Sequence, residues 1–304
     1  MRKFLLRVVL FASIVLFLMS ILDVFISSHL RISDARIFVG WNYVYNDSTC
    51  HDLIINGNSR AWVQYNPKIL DTILNINSYN LGIDGSNVNR QMIMFNKYLE
   101  KHGCPKCLVQ NIDLFTMNPT FGYEREQFFP YFFYDRELLK EVNEYENFSF
   151  PEKNILGYRY VGFIQTVLTK LEYTPLYKGY ESNESQWNGT LLAQMSKIDF
   201  DYDSTLLKKF DYFIEGVMQH GIEVIFVYAP IFHEVNAKCT NINEMYQMYE
   251  KIAHKYNIPI LDYNDIPMCY DTTYFYNATH LNRVGAELFT TQLAHDIDSL
   301  GLLK

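Results

Sequence analysis

The run Ile222 to Tyr228, IEVIFVY, constrains the fold of this chain more than any other stretch. It is of strand length and apolar almost throughout. A strand with one face in water alternates polar and apolar residues. A run like this one suits a central strand of a parallel sheet, buried on both faces.

Shorter strands read at His51 to Asn56, Ser78 to Ile83, Cys107 to Ile112 and Ile258 to Leu261. Between them lie helical stretches at Ala61 to Asn75, Asn87 to His102, Phe210 to Gln219 and Met245 to Lys255, with a closing helix at Arg283 to Leu300. The second carries Met92, Phe95, Tyr98 and Leu99 on one side and meets Gly103 where a C-terminal cap belongs. Strands alternating with helices predict an α/β domain, a three-layer doubly wound (flavodoxin-like) parallel sheet of about five strands. Such sheets hold their sites beyond the carboxyl ends of the strands, here Gly57-Asn58-Ser59, Gly82, Asp113 and Pro230.

The N-terminus adds a second constraint. Met1-Arg2-Lys3 is basic and Val8 to Leu22 is uncharged and apolar. With the flanking Phe4 to Leu6 and Val24 to Ile26, the run reaches the roughly 20 residues a bilayer requires. Residues 1–28 therefore read as a transmembrane anchor, with the basic end cytoplasmic and the main domain extracytoplasmic, periplasmic or at the cell surface. A cleaved signal peptide is the competing reading, although no small-x-small cleavage site follows the run. Residues 29–50 read as a connecting segment and 51–304 as the α/β domain. Within it, residues 117–203 lack the strand–helix rhythm and form an aromatic-rich insertion after the third strand. That insertion is either a lid or a surface for membrane or partner, or simply packing over the core.

A net charge of -8 argues against a nucleic-acid partner. No glycine loop of nucleotide-binding type appears, and neither a metal nor an organic cofactor is expected. Aromatic residues make up 16% of the chain, a share that fits core packing or a surface meeting lipid headgroups or sugars. Five cysteines are compatible with an oxidising compartment. Cys104 and Cys107 have redox-motif spacing but stand between a helix and a strand, the reverse of the thioredoxin order. They read as a local disulfide or two plain thiols, and Cys239 with Cys269 as a candidate second bridge.

Two stretches carry the chemistry. Ser59 stands at a strand-to-helix turn, where the helix N-terminus offers backbone N–H groups to a developing oxyanion. His280, in Asn277-Ala278-Thr279-His280-Leu281-Asn282, stands on a loop entering the last helix, placed to reach across the strand ends. Their order resembles the SGNH (GDSL-like) hydrolase superfamily, with Gly-Asp/Asn-Ser after the first strand and Asp-x-x-His before the final helix. The stretch THLNRVGAELFT looks like membrane-anchored SGNH-like proteins that accompany MBOAT acyltransferases in modifying cell-surface polymers.

The resemblance implies Ser59 as nucleophile, His280 as general base, and the backbone N–H groups of Ser59 and Gly82 as oxyanion donors. The family's acid is Asn277 here, which can orient an imidazole but supplies no charge; Asp271 is a candidate for the missing carboxylate. The third block's Gly-x-Asn-Asp is replaced by Gln110 to Asp113, leaving Asn111 as the side-chain oxyanion donor and Asp113 as a further site residue or a turn cap. Arg60 is a candidate for binding an anionic substrate or pairing with an acid, and His233 either lines the pocket or stands on a surface loop. The expected activity is that of a cell-envelope esterase or O-acyltransferase, acting on a surface glycan or acyl ester with an MBOAT-type partner. The alternative is an inactive envelope protein that keeps the fold for binding or assembly.

Overall fold

The computed structural model describes residues 1–118, 125–163, 175–189, 197, 199–200 and 202–303. By packing the chain divides into two units, Met1–Asn46 with Glu124–Thr174, and Asp47–Tyr123 with Pro175–Lys304.

The first unit opens with α1 (Arg2–Leu30) and α2 (Arg36–Asn46). Helix α1 is long and apolar enough to cross a bilayer, so it is a candidate anchor or signal sequence. The stretch read as a connection contains α2, because Phe38, Trp41 and Val44 recur at helical spacing and are all buried. The described part of the aromatic insertion covers them. Trp41 donates to Gln127 at 2.7 Å and packs edge-on to Phe128 at 5.2 Å.

The second unit holds the sheet. Strand β1 (Leu53–Asn56) leads to α3 (Ser59–Gln64) and α4 (Pro67–Leu74). Next come β2 (Ser78–Asn80), α5 (Val88–His102) and β3 (Cys107–Asn111). The first unit then contributes α6 (Arg136–Val142) and α7 (Phe150–Asn154) before the chain returns as a small hairpin, β4 (Leu176–Tyr177) and β5 (Tyr180–Glu181). The remainder is α8 (Ser204–Gln219), β6 (Glu223–Tyr228), α9 (His233–Lys238), α10 (Ile242–Tyr256), β7 (Ile260–Asp262), β8 (Phe275–Asn277), β9 (His280–Leu281) and α11 (Arg283–Leu300).

Five parallel strands stand in the order β2-β1-β3-β6-β7, the doubly wound arrangement expected. The IEVIFVY run becomes β6, buried from Val224 to Tyr228 between β3 and β7. Phe226 meets Phe210 of α8 at 5.7 Å and Tyr249 of α10 at 6.4 Å. Each such buried side chain contributes about 1.5–3 kcal/mol.

Two differences from the sequence reading have local causes. The helix expected over Ala61 to Asn75 is two, because Pro67 lacks an N–H to continue the first and Asn66 caps the second by accepting from the Lys68 N–H at 3.0 Å. Strand β2 ends at Asn80 rather than Ile83, since the Asn80 side chain accepts from the Gly82 N–H at 2.8 Å and turns the chain out of the sheet.

Candidate active site

In the order 2-1-3-6-7 the chain winds in opposite directions from β1 and β3, so the crevice between their carboxyl ends is the switch point of the sheet. Ser59 follows β1 directly into this crevice. It is half-buried between Asn58 and Arg60, both fully buried, and so brings its hydroxyl to the surface. The turn is tight: a Cβ on Gly57 would lie 2.8 Å from that of Asn111 and 2.7 Å from that of Ala61. Asn58 caps α3 by accepting from the Arg60 N–H at 3.0 Å.

His280 arrives on the β8–β9 hairpin, whose Asn277 and His280 pair across a two-residue turn. Asn282 caps α11 by accepting from the Gly285 N–H at 3.1 Å, and its amide donates to Thr273 O at 2.7 Å. Gly285 is required there, since a Cβ would sit 2.3 Å from the Tyr274 carbonyl. These bonds hold the hairpin over α3, and His280 Nε2 lies 2.8 Å from Ser59 Oγ. Tyr276 stacks on the imidazole, with centroids 5.4 Å apart and planes 16° from parallel.

The hydrogen bonds around Asn277 decide the proton inventory. The Thr279 backbone N–H, which can only donate, lies 3.0 Å from Asn277 Oδ1. The atom facing it is therefore the amide oxygen and not the nitrogen. His280 Nδ1 stands 2.9 Å from that same oxygen, so Nδ1 carries the proton and Nε2 presents its lone pair to Ser59. The Thr279 hydroxyl, 2.9 Å from Nδ1 and 3.1 Å from Asn277 Oδ1, closes the triangle. Asn277 thus selects the tautomer a carboxylate would select, without its charge.

The other predicted residues are placed differently. Asp271 is exposed and accepts from the Thr273 N–H and hydroxyl at 2.9 and 2.7 Å. It caps a turn and does not replace the acid beside His280. Arg60 is 1% exposed and donates to the carbonyls of Ala229 and Pro230, so it lies beneath the site and faces no substrate. Asp113 is fully buried. It accepts from Asn58 at 2.7 Å, Asn111 at 3.0 Å, the Phe115 N–H at 2.9 Å and the Thr116 N–H and hydroxyl at 3.0 Å each, with Arg60 at 3.6 Å.

Asn111 is buried too, its oxygen taking the Tyr65 hydroxyl at 2.8 Å and its amide given to Asp113. Gly82 is pressed against α3, where a Cβ would lie 2.4 Å from the Trp62 nitrogen, and its N–H already has an acceptor in Asn80. His233 stacks on Tyr270 at 4.5 Å. The cysteines form no disulfide: Cys50 and Cys104 are exposed thiols, and Cys107, Cys239 and Cys269 are buried ones. Burial pushes the Cys107 thiol up to about 12.

Two contributors escaped the sequence reading. Thr279 is one; a Thr two residues after an Asn in a short loop is the signal of a side-chain-closed turn. Asn80 is the other. Its amide bridges to the carbonyls of Ala61 and Tyr65 at 2.8 and 2.9 Å, tying the end of β2 to α3.

No family model matches the chain, and no curated protein does. Solved structures do resemble it. The psychrotrophic esterase EstA from Pseudoalteromonas sp. has 9% identity and a TM-score of 0.45, over 84% of this chain and 98% of that one. A GDSL-like lipase from Bacteroides thetaiotaomicron has 11% identity and a TM-score of 0.40, over 81% and 88%. An acetyl xylan esterase has 12% identity and a TM-score of 0.42, over 82% and 98%.

Proposed function

We propose that this protein is a serine acyl-transfer enzyme of the cell envelope, an esterase or O-acyltransferase acting on a surface glycan. One observation carries the reading: a half-exposed serine hydroxyl at the switch point, 2.8 Å from an imidazole nitrogen whose opposite nitrogen is held protonated. His280 Nε2 takes the Ser59 proton as Oγ bonds to the ester carbonyl carbon, and the carbonyl oxygen becomes an oxyanion. The Ser59 N–H at the head of α3 supports that charge, and Gly82's N–H does so when the oxyanion displaces or shares Asn80 as acceptor. As the tetrahedral intermediate collapses, the leaving alkoxide takes the proton from His280 and the acyl group stays on Ser59. Water or a sugar hydroxyl then gives its proton to His280 and bonds to the acyl carbon. As the bond from that carbon to Ser59 Oγ breaks, Oγ takes the proton back from His280, for hydrolysis or transfer respectively. The apolar α1 and the likeness of THLNRVGAELFT to membrane-anchored SGNH-like proteins favour transfer beside an MBOAT-type membrane acyltransferase.

A second reading, a non-catalytic envelope protein of the same fold, draws on the occupied amides: Gly82 N–H is given to Asn80 and Asn111 to Asp113. Labelling with a fluorophosphonate probe separates the two. The enzyme reading expects stoichiometric labelling lost in Ser59→Ala and reduced by at least about 10³-fold in rate in His280→Ala. A folded protein with no Ser59-dependent adduct would overturn the enzyme reading.

A further inference from the structure

Within the first unit, one loop runs along α1 at a height that the helix itself measures. Residues 1–18 are exposed on every side, and contact with the rest of the unit begins at Met19. A Cβ on Gly157 would lie 2.9 Å from the Met19 carbonyl, in a left-handed backbone conformation (φ +79°), so a glycine permits this approach. The Gly157 N–H donates to Asp23 at 2.6 Å, and Arg159 grips the same carboxylate at 2.7 and 2.8 Å. Tyr160 OH and Ser27 Oγ are 2.8 Å apart. The stretch 157–160 therefore tracks the helix from Met19 to Ser27.

The apolar sequence of α1 sets where the bilayer ends, with Arg7 near its inner end able to snorkel to the headgroups. From Phe4 to Leu22 the helix rises about 27 Å, close to the roughly 30 Å of a hydrocarbon core. Met19 to Asp23 then falls at the outer boundary of that core. The serine here is compatible with lipid, since Ser20 Oγ donates to Leu16 O at 2.8 Å within the helix. At the same level the helix surface is apolar, with Ile21, Val24 and Phe25 51%, 63% and 59% exposed. Tyr158, next to Gly157 at the Met19 end of the loop and 41% exposed, is an aromatic of the kind favoured at a headgroup boundary. Between Arg7 and Arg31 the only full charge on α1 is Asp23, and Arg159 cancels it in a buried pair.

We infer that the Gly157–Tyr160 loop is a second membrane contact, with Tyr158, beside Gly157 at the Met19 end, at the headgroups of the bilayer that α1 crosses. The inference rests on reading α1 as a retained anchor. It makes the first unit a seat on the membrane surface rather than a body on a free tether. Its joint is the Asp23–Arg159 pair, held where neither charge is tolerated alone.

The test uses the full chain in phosphatidylcholine–phosphatidylglycerol vesicles, in a Cys50→Ser, Cys104→Ser background that removes the two exposed thiols. An environment-sensitive fluorophore is attached at Tyr158→Cys, with Phe11→Cys as the mid-helix reference and Tyr212→Cys, on the second unit, as the aqueous reference. The expected result at residue 158 is blue-shifted emission, iodide quenching several-fold weaker than at residue 212, and strong quenching by lipids carrying a nitroxide near the headgroup. Iodide quenching at residue 158 equal to that at residue 212, with residue 11 protected, overturns the inference and leaves the anchor standing. Phe11 open to iodide as well overturns both.

Discussion

Each unit buries one aspartate with one arginine, and the two pairs are built in opposite ways. In the first unit Arg159 meets Asp23 in two contacts of 2.7 and 2.8 Å, with the Gly157 N–H and the Ser27 hydroxyl filling what remains. This is a clamp between two stretches of chain. In the second unit Arg60 stands 3.6 Å from Asp113 and spends its hydrogens on the Ala229 and Pro230 carbonyls, while Asp113 collects the loops after β1 and β3. Here the carboxylate is a hub and the arginine its counter-charge. Attraction holds the first pair together; the second is justified by what else each partner binds.

Removing the hub has the largest expected effect. Asp113→Ala leaves Arg60 without a counter-charge and strands Asn58, Asn111 and Thr116, at a cost of roughly 5 kcal/mol or more. Denaturant unfolding and probe labelling would both register it, since Asn58 shapes the turn that carries Ser59. Arg159→Ala, the matching cut in the clamp, is expected to cost about 3–5 kcal/mol by leaving Asp23 buried and unpaired. The contrast shows in the double variants. Asp23→Leu with Arg159→Met should recover the larger part of that loss, because apolar groups of similar volume often replace a buried ion pair without penalty. One backbone N–H, that of Gly157, loses its acceptor. Arg60→Met with Asp113→Leu should recover little, because the Phe115 and Thr116 N–H groups still need an acceptor. Equal recovery in both would erase the distinction drawn here.

The clamp and the hub also differ in how far they could be read from sequence. Strand β6 was legible because burial on both faces demands an unbroken apolar run, and α11 because its signals are local and its bounds, Arg283–Leu300, are those expected. Asp113 looked like a turn cap, and in part it is one. Its partnership with Asn58 depends on Asn56 pairing with Gln110 in parallel register, which brings the two loops together only once the sheet is assembled. Arg60 leaves two readings open in sequence, an anionic substrate or a partner acid; it stands 3.6 Å from Asp113, and its direction into the core is set by the Ala229 and Pro230 carbonyls beyond β6. Asp23 gave no hint of Arg159, which lies 136 residues away in sequence. The Ser59–His280 approach was anticipated from the placement of both at strand ends. What that pattern left open was which Asn277 atom faces the ring, because it depends on the Thr279 N–H.

His51 tests what burial does where it outweighs the pull of nearby carboxylates, here Asp47 and Asp71. Burial, and then Lys178 and His102, hold its imidazole down to about 4 from the usual 6.5. The fold therefore favours the neutral ring, which lies 3.1 Å from Tyr98 OH. The associated stability is complete above pH 6.5 and is lost as pH falls toward 4, by about 3 kcal/mol. His51→Gln should flatten the unfolding free energy over that window, with less change at pH 8. An unchanged acid dependence would place the sensitivity on other groups.

The smallest effect bears on the charge missing beside the imidazole. The Nδ1–H of His280 is held by a neutral amide oxygen. If Asn277 already selects the right tautomer, Asn277→Asp adds only a negative charge beside an imidazolium that forms in the transition state. A gain of roughly tenfold in the rate of Ser59 acylation is then expected, about 1.4 kcal/mol, with the activity profile shifted to higher pH because a carboxylate favours the protonated ring. Were the amide reversed, with its NH₂ toward Nδ1, the same substitution would repair a wrong tautomer. The gain would then approach the roughly 10⁴-fold that separates Asp from Asn in serine proteases. Thr279→Val in the native background checks the same point from the other side. The backbone N–H stays to fix the Asn277 oxygen, so acylation should fall only a few-fold as the hydroxyl is lost.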